Sequence, residues 1–243
     1  MQTVPPHVGR ELAPTGRLRA TINFGNSVLA QRDPATGEPR GVSVDIAREL
    51  GRRLGVPIDL VTFDAAGKAF AALQSGLCDV GFLAIDPARA ADLAFTAPYV
   101  LIEGTYIVPA TSPLREVDDV DREGVRIAAG KNSAYDLYLS RALQHAKLVH
   151  VPTSQAAIEL FHSEGLDAAA GVRQPLFAFA KAHPGLRVME GRFMAIEQAM
   201  AMPRERPEAA AYLRGLIEEL KASGFVEASL ARSGQDATVA PAA

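Results

Sequence analysis

A single cysteine in 243 residues excludes an internal disulfide. Cys78 lies in the apolar run Cys78-Asp79-Val80-Gly81-Phe82-Leu83, where a buried, inert thiol is expected. No uninterrupted apolar run approaches the roughly 18–20 residues that a bilayer-crossing helix needs, so no membrane insertion is expected. Basic residues are scattered rather than gathered into a stripe interleaved with aromatics, which removes nucleic acid from the expected partners. The five histidines lack metal-site spacing, and neither G-x-S-x-G nor a Ser–His–Asp or Cys–His arrangement is present. No metal and no cofactor is therefore expected. A phosphate-binding P-loop fails as well: Gly124 is one residue too far from Gly130, and Asn132 stands where Ser or Thr is required. The opening stretch, residues 1–16, has no apolar segment after a basic start. Two readings stay open there: a cytoplasmic chain, or a periplasmic one whose signal lay upstream of Met1.

What the chain does contain suits a globular fold. Hydrophobic residues make up 48% and the net charge is only −3, enough for one large domain or two small ones. Short β-rich runs alternate with helical patterns. Strands are expected at 18–22, 58–63 and 79–85, with helices over 44–54 and 69–73. The pattern restarts after Pro109, with strands at 125–129, 148–151, 166–170 and 186–189. Helices are expected there over 133–143, 154–161 and 177–180. Such alternation predicts an α/β protein of two lobes, each a parallel-type sheet flanked by helices. Two extended runs, 99–109 and 195–203, read as hinge strands, one out and one back, before a long helix over 207–220. Lobe 1 is then discontinuous, residues 1–103 and 195–243, and lobe 2 is 104–194.

Several motifs occur in a telling order: Gly41-Val42-Ser43-Val44-Asp45-Ile46-Ala47, then Ala72 to Asp79, Asp86-Pro87-Ala88-Arg89, Phe95-Thr96-Ala97-Pro98-Tyr99, and Gly130-Lys131-Asn132-Ser133. Together with the tail 213–225, they resemble the family 3 bacterial extracellular solute-binding proteins, the polar amino acid group of the type II periplasmic-binding fold. The resemblance runs from Leu18 to Gly234. It implies a monomeric, non-enzymatic protein that closes two lobes on a small carboxylate-bearing ligand and serves the membrane permease of an ABC transporter.

By that resemblance Arg89 matches the arginine that holds a ligand's α-carboxylate, a task suited to a planar guanidinium fork. Gly130 to Ser133, at a strand-to-helix turn, supplies backbone N–H groups, with Lys131, Asn132 and Ser133 as side-chain donors. Asp86 and Ala84 occupy positions where the family has hydroxyl residues. Asn23 stands near the place of the family's first acidic residue, with Asn26 after it. The slot of the acid that accepts an α-ammonium falls at Val172 or Arg173. These departures favour an organic acid without an amine, because an α-ammonium would lack its acceptors. Arg173 and Gln174, Lys68, and the hinge residues Glu103 and Glu197 complete the candidate set. Either glutamate would restore an acceptor for an amine. Two alternatives to transport remain: a cytoplasmic ligand sensor, and a dehydratase-type enzyme using Glu103 or Glu197 as its acid.

Overall fold

The computed structural model describes residues 4–243. In chain order the elements are α1 (Pro6–Leu12), β1 (Leu18–Asn23), β2 (Gln31–Arg32), β3 (Pro39–Arg40), α2 (Val42–Leu54), β4 (Ile58–Phe63), α3 (Ala66–Gln74), β5 (Gly81–Ala84), α4 (Pro87–Ala90) and β6 (Leu93–Pro109). There follow β7 (Arg126–Gly130), α5 (Ala134–Ala142), β8 (Lys147–Val151), α6 (Ser154–Glu164), β9 (Ala168–Val172), α7 (Arg173–Ala182), β10 (Leu186–Val188) and β11 (Met194–Pro203). The chain ends with α8 (Pro207–Ala222), α9 (Phe225–Arg232) and β12 (Thr238–Val239). It divides into two compact units: the residues up to Leu101 together with Glu197–Ala243, and Ile102–Ile196. The chain passes from one unit to the other within β6 and again within β11.

In the first unit β1 runs parallel to β4 over its whole length, and a bridge from Ala20 to Val80 extends the parallel set towards β5. Helix α2 stands between β1 and β4 and α3 between β4 and β5, so each next strand re-enters in the same direction. β11 joins β5 antiparallel, Gln198 opposite Ala84. Helix α2 is amphipathic: Val42, Val44, Ile46, Ala47 and Leu50 are buried, while Arg48 and Arg52 face outward. Asp45, in its first turn, accepts from Ser229 Oγ (2.5 Å) and Arg232 Nη2 (2.8 Å), tying α2 to α9. Below the sheet, Ala69, Ala72, Leu73, Cys78, Leu83, Leu93 and Ala201 form one apolar cluster. Burial pushes the Cys78 thiol up to about 11.

The second unit is built on β7, parallel to β8 on one side and β9 on the other. The distal half of β6 runs antiparallel to β9, Gly104 opposite Val172, and β10 adds to the end of β6. Ile107, Ala128, Ile158, Phe161, Ala169 and Leu176 form its core. The sheets are therefore mixed rather than parallel throughout, because β6 and β11, which carry the chain between units, enter opposed to their neighbours. Other differences from the sequence expectation have local causes. β9 begins two residues later than expected, since Leu166 N closes the end of α6 on Phe161 O (3.1 Å). α7 begins four residues earlier than expected, at Arg173. α1 arises where no helix was expected and is fixed to α8 by Glu11, whose carboxylate accepts from Ala209 N (2.9 Å).

The fully buried carboxylate of Asp79 holds the first unit together. It accepts from Arg19 N (3.1 Å), Nε (2.9 Å) and Nη2 (2.7 Å), and from Arg206 Nη1 (3.4 Å). Removing one partner strands the others in a poorly solvated place. Asp79→Ala is expected to cost about 3–5 kcal/mol in urea unfolding, and a loss under about 1 kcal/mol contradicts this role. The native chain is also expected to leave Cys78 unmodified by an aromatic disulfide reagent that titrates it fully in denaturant.

Candidate functional site

In α/β sheets, ligands are taken at the carboxyl ends of parallel strands, where loops expose backbone groups. The first unit has three such ends. After β1, Asn23 Oδ1 accepts from Gly25 N (2.9 Å) and Asn26 Oδ1 from Val28 N (3.3 Å). The two amide oxygens hold the turn, which leaves their Nδ2 groups without a partner among the described residues. A Cβ on Gly25 would meet Asp64 O at 2.4 Å, so only glycine lets this turn press on the one after β4. There Lys68, 57% exposed, pairs with Asp64 at 2.7 Å. This is a surface ion pair that contributes about 0–1 kcal/mol, with Lys68 holding the Asp64 carboxyl below its usual range.

After β5 comes the one-turn helix α4. Asp86 caps it, accepting from Ala88 N (2.9 Å), and Ala84 contributes its carbonyl, which accepts from Arg89 Nη1 (3.0 Å). Arg89 is only 3% exposed and is thus no surface arginine. Asp92, three residues on, is engaged by Gln74 Nε2 (3.0 Å). Burial pushes the Arg89 guanidinium down to about 10, with the charge of Asp86 acting in the opposite direction. A cation at this depth is stabilised by any anion brought to it.

In the second unit the corresponding ends are those of β7 and β9. A Cβ on Gly130 would meet Ser154 N at 2.7 Å, so glycine lets the two strand-end turns close. Asn132 is the one non-glycine among the described residues at positive φ (60°), a conformation asparagine tolerates. Its backbone N donates to Asp136 Oδ2 (2.7 Å), while Ser133 Oγ caps α5 by accepting from Asp136 N (3.1 Å). Lys131 is exposed and its N donates to Val151 O (2.8 Å). Asp136 also meets His150 Nε2 at 2.7 Å. Asp136 and His150 therefore help to organise a turn for which the sequence pointed to Gly130, Lys131, Asn132 and Ser133. The spacing Ser133-x-x-Asp136 of a capping box was the available signal.

At the end of β9 the guanidinium of Arg173 is engaged on three sides. Nε donates to Glu103 Oε2 (2.6 Å), Nη1 to Met189 O (3.2 Å) and Nη2 to Gly191 O. Arg192 takes the other Glu103 oxygen (3.2 Å). Glu103 and Arg173, both in the candidate set, are thus paired with each other. Gln174 follows, half-buried in the first turn of α7. Glu197, in the first unit, is exposed and contributes a backbone carbonyl to Ile85 N (2.9 Å). Among the described residues no group of three or more His, Cys, Asp or Glu side chains converges as metal ligands would. Nor is any helix there long and apolar enough to cross a membrane.

The motif residues outside these ends have structural work. Tyr99 is fully buried against Ser43 (Oη to Oγ, 3.1 Å), and Thr96 Oγ1 accepts from Met200 N (3.1 Å). One pair at the β1 end escaped the sequence reading altogether: the Arg32 guanidinium lies over the Phe24 ring, 4.5 Å from its centroid.

Solved structures resemble this chain along nearly its whole length. A substrate-binding protein of an amino acid ABC transporter from Streptococcus pneumoniae, bound to L-arginine, superposes with a TM-score of 0.78 at 21% identity, covering 91% of this chain and 96% of its own. The solute receptor for L-cysteine of Neisseria gonorrhoeae gives 0.80 at 21%, covering 93% and 92%. An ancestral amino acid-binding protein, a precursor of cyclohexadienyl dehydratase, gives 0.77 at 20%, covering 92% and 97%. At such identities the likeness shows the fold. No curated protein sequence gives a significant match. The profile of one family does match, over residues 30–233, and the chain accordingly belongs to the bacterial extracellular solute-binding proteins, family 3.

Proposed function

We propose that this chain captures a small carboxylate-bearing solute for the permease of an ABC-type transporter, with Arg89 as the carboxylate anchor. The single observation that carries the reading is the burial of Arg89 at the end of β5, on the Ala84 carbonyl and beside Asp86. A guanidinium there offers a planar fork with little bulk water to compete for it, and a charge-assisted bond to carboxylate is worth about 1.5–3 kcal/mol. The second unit carries helix-start N–H groups of its own, those of Ala134 and Tyr135 in the first turn of α5, since the N–H groups of Lys131, Asn132 and Ser133 are given to Val151 O, Asp136 Oδ2 and Gly130 O. Amino acids are the ligands named for the relatives of known structure, and every amino acid carries this carboxylate.

The amino half of such a ligand has less support in these residues. Val172 offers no acceptor, and Arg173 is a cation already engaged by Glu103. The side-chain oxygens of Asn23 and Asn26 are spent on their own turn. An organic acid lacking the α-amine therefore fits at least as well as the amino acid. The dehydratase-type alternative is favoured by one relative, the dehydratase precursor. Against Glu103 in that role, both its carboxylate oxygens already accept from arginines, which leaves Glu197 as the acid such an enzyme would use.

Three outcomes test the proposal. Arg89→Lys keeps the charge but loses the fork, and is expected to weaken carboxylate binding at least about tenfold by titration calorimetry. Unchanged affinity sinks the anchor. Asn132→Gly keeps the backbone at positive φ with its N–H on Asp136, and is expected to hold affinity within about twofold. A loss of about tenfold or more would assign the work to the side chain instead. Ser133→Ala should cost about 1 kcal/mol of stability through the lost cap, read from denaturation midpoints.

A further inference from the structure

We propose that Arg32, held over the Phe24 ring, is a specificity-determining residue that selects ligands with a second acidic group. The inference rests on the carboxylate reading above and deepens it. Phe24 immediately follows the last residue of β1, and its N donates to Phe63 O (2.8 Å) at the end of β4, so the ring belongs to the strand-end edge of the first unit. Arg89 belongs to the same edge, at the end of β5. The Arg32 guanidinium lies 4.5 Å from the Phe24 ring centroid. Among the described residues it has no carboxylate and no hydrogen-bond partner. Its neighbour Asp33 is committed elsewhere: Oδ1 accepts from Ala35 N (2.9 Å) and Thr36 N (3.0 Å), closing the hairpin between β2 and β3. Lys68, an exposed cation after β4, already has Asp64.

An arginine stacked on an aromatic face keeps its N–H edge open, because the ring engages only the plane. It is fixed in place before the ligand arrives, so little orientational freedom is lost in accepting a planar carboxylate. With Arg89 taking one acidic group, Arg32 is a cation of the same unit that no described acceptor engages. The same charge disfavours a cationic ligand side chain.

Calorimetry with two matched pairs tests this: L-glutamate against L-glutamine, and glutarate against its monoamide, on the wild type, Arg32→Gln and Phe24→Leu. The wild type is expected to prefer the diacid of each pair at least about tenfold. Arg32→Gln should cut that preference below about threefold, leaving the amide's affinity within about twofold, and Phe24→Leu should fall between the two. The inference is overturned if the wild type binds the amide or L-arginine as well as the diacid. It is equally overturned if Arg32→Gln weakens both members alike, which is the mark of a merely structural role. If Arg89→Lys abolishes binding while Arg32→Gln leaves the ratio intact, this inference alone falls. If no pair binds the wild type, it falls together with the carboxylate reading.

Discussion

A guanidinium buried at the end of a strand is the constraint on which the candidate site depends. Arg89 is desolvated enough to lower its proton affinity, and the Ala84 carbonyl and the nearby charge of Asp86 act against that cost. Such an arrangement is a standing attraction for an anion. Everything else at this edge keeps the strand ends in register. Asp79 anchors β1 through Arg19, and Gly25 lets the turn after β1 rest on Asp64. Without those contacts the three loops would have no common edge to present.

The second unit solves a related problem with backbone rather than charge. Its glycine turn is pinned from both sides, by the Ser133 cap and by Asp136 receiving the Asn132 N–H and meeting His150. Its one prominent cation, Arg173, is neutralised by Glu103 and saturated by carbonyls. The chain thus separates two roles. The first unit buries a cation at a strand end, and the second holds a glycine turn rigid with hydrogen bonds of its own.

Much of this was legible in the sequence, and the limits are physical. The helix over 42–54 and the strand over 58–63 stand out because periodicity and local turn residues specify them. The four residues of α4 are too few to show any period. The direction of β6 and β11 depends on pairings made far along the chain, which no local pattern records. Arg89, Gly130 and Ser133 could be picked out because their neighbours in sequence form a motif. The Arg173–Glu103 pair joins residues 70 positions apart, and neither partner's neighbours announce it. The Arg32–Phe24 stack spans only eight positions, yet it depends on the turn between them and on the hairpin that begins at Gln31. Asp45, Asp79 and Tyr99, prominent as motif residues, proved to be parts of the scaffold.

The most direct test is a crystal structure of the chain with the carboxylate that stabilises it most in a thermal screen. The account predicts both carboxylate oxygens on Arg89 N–H groups at about 2.7–2.9 Å, the geometry of a charge-assisted fork. A carboxylate bound elsewhere, with Arg89 still satisfied by protein groups alone, would contradict it.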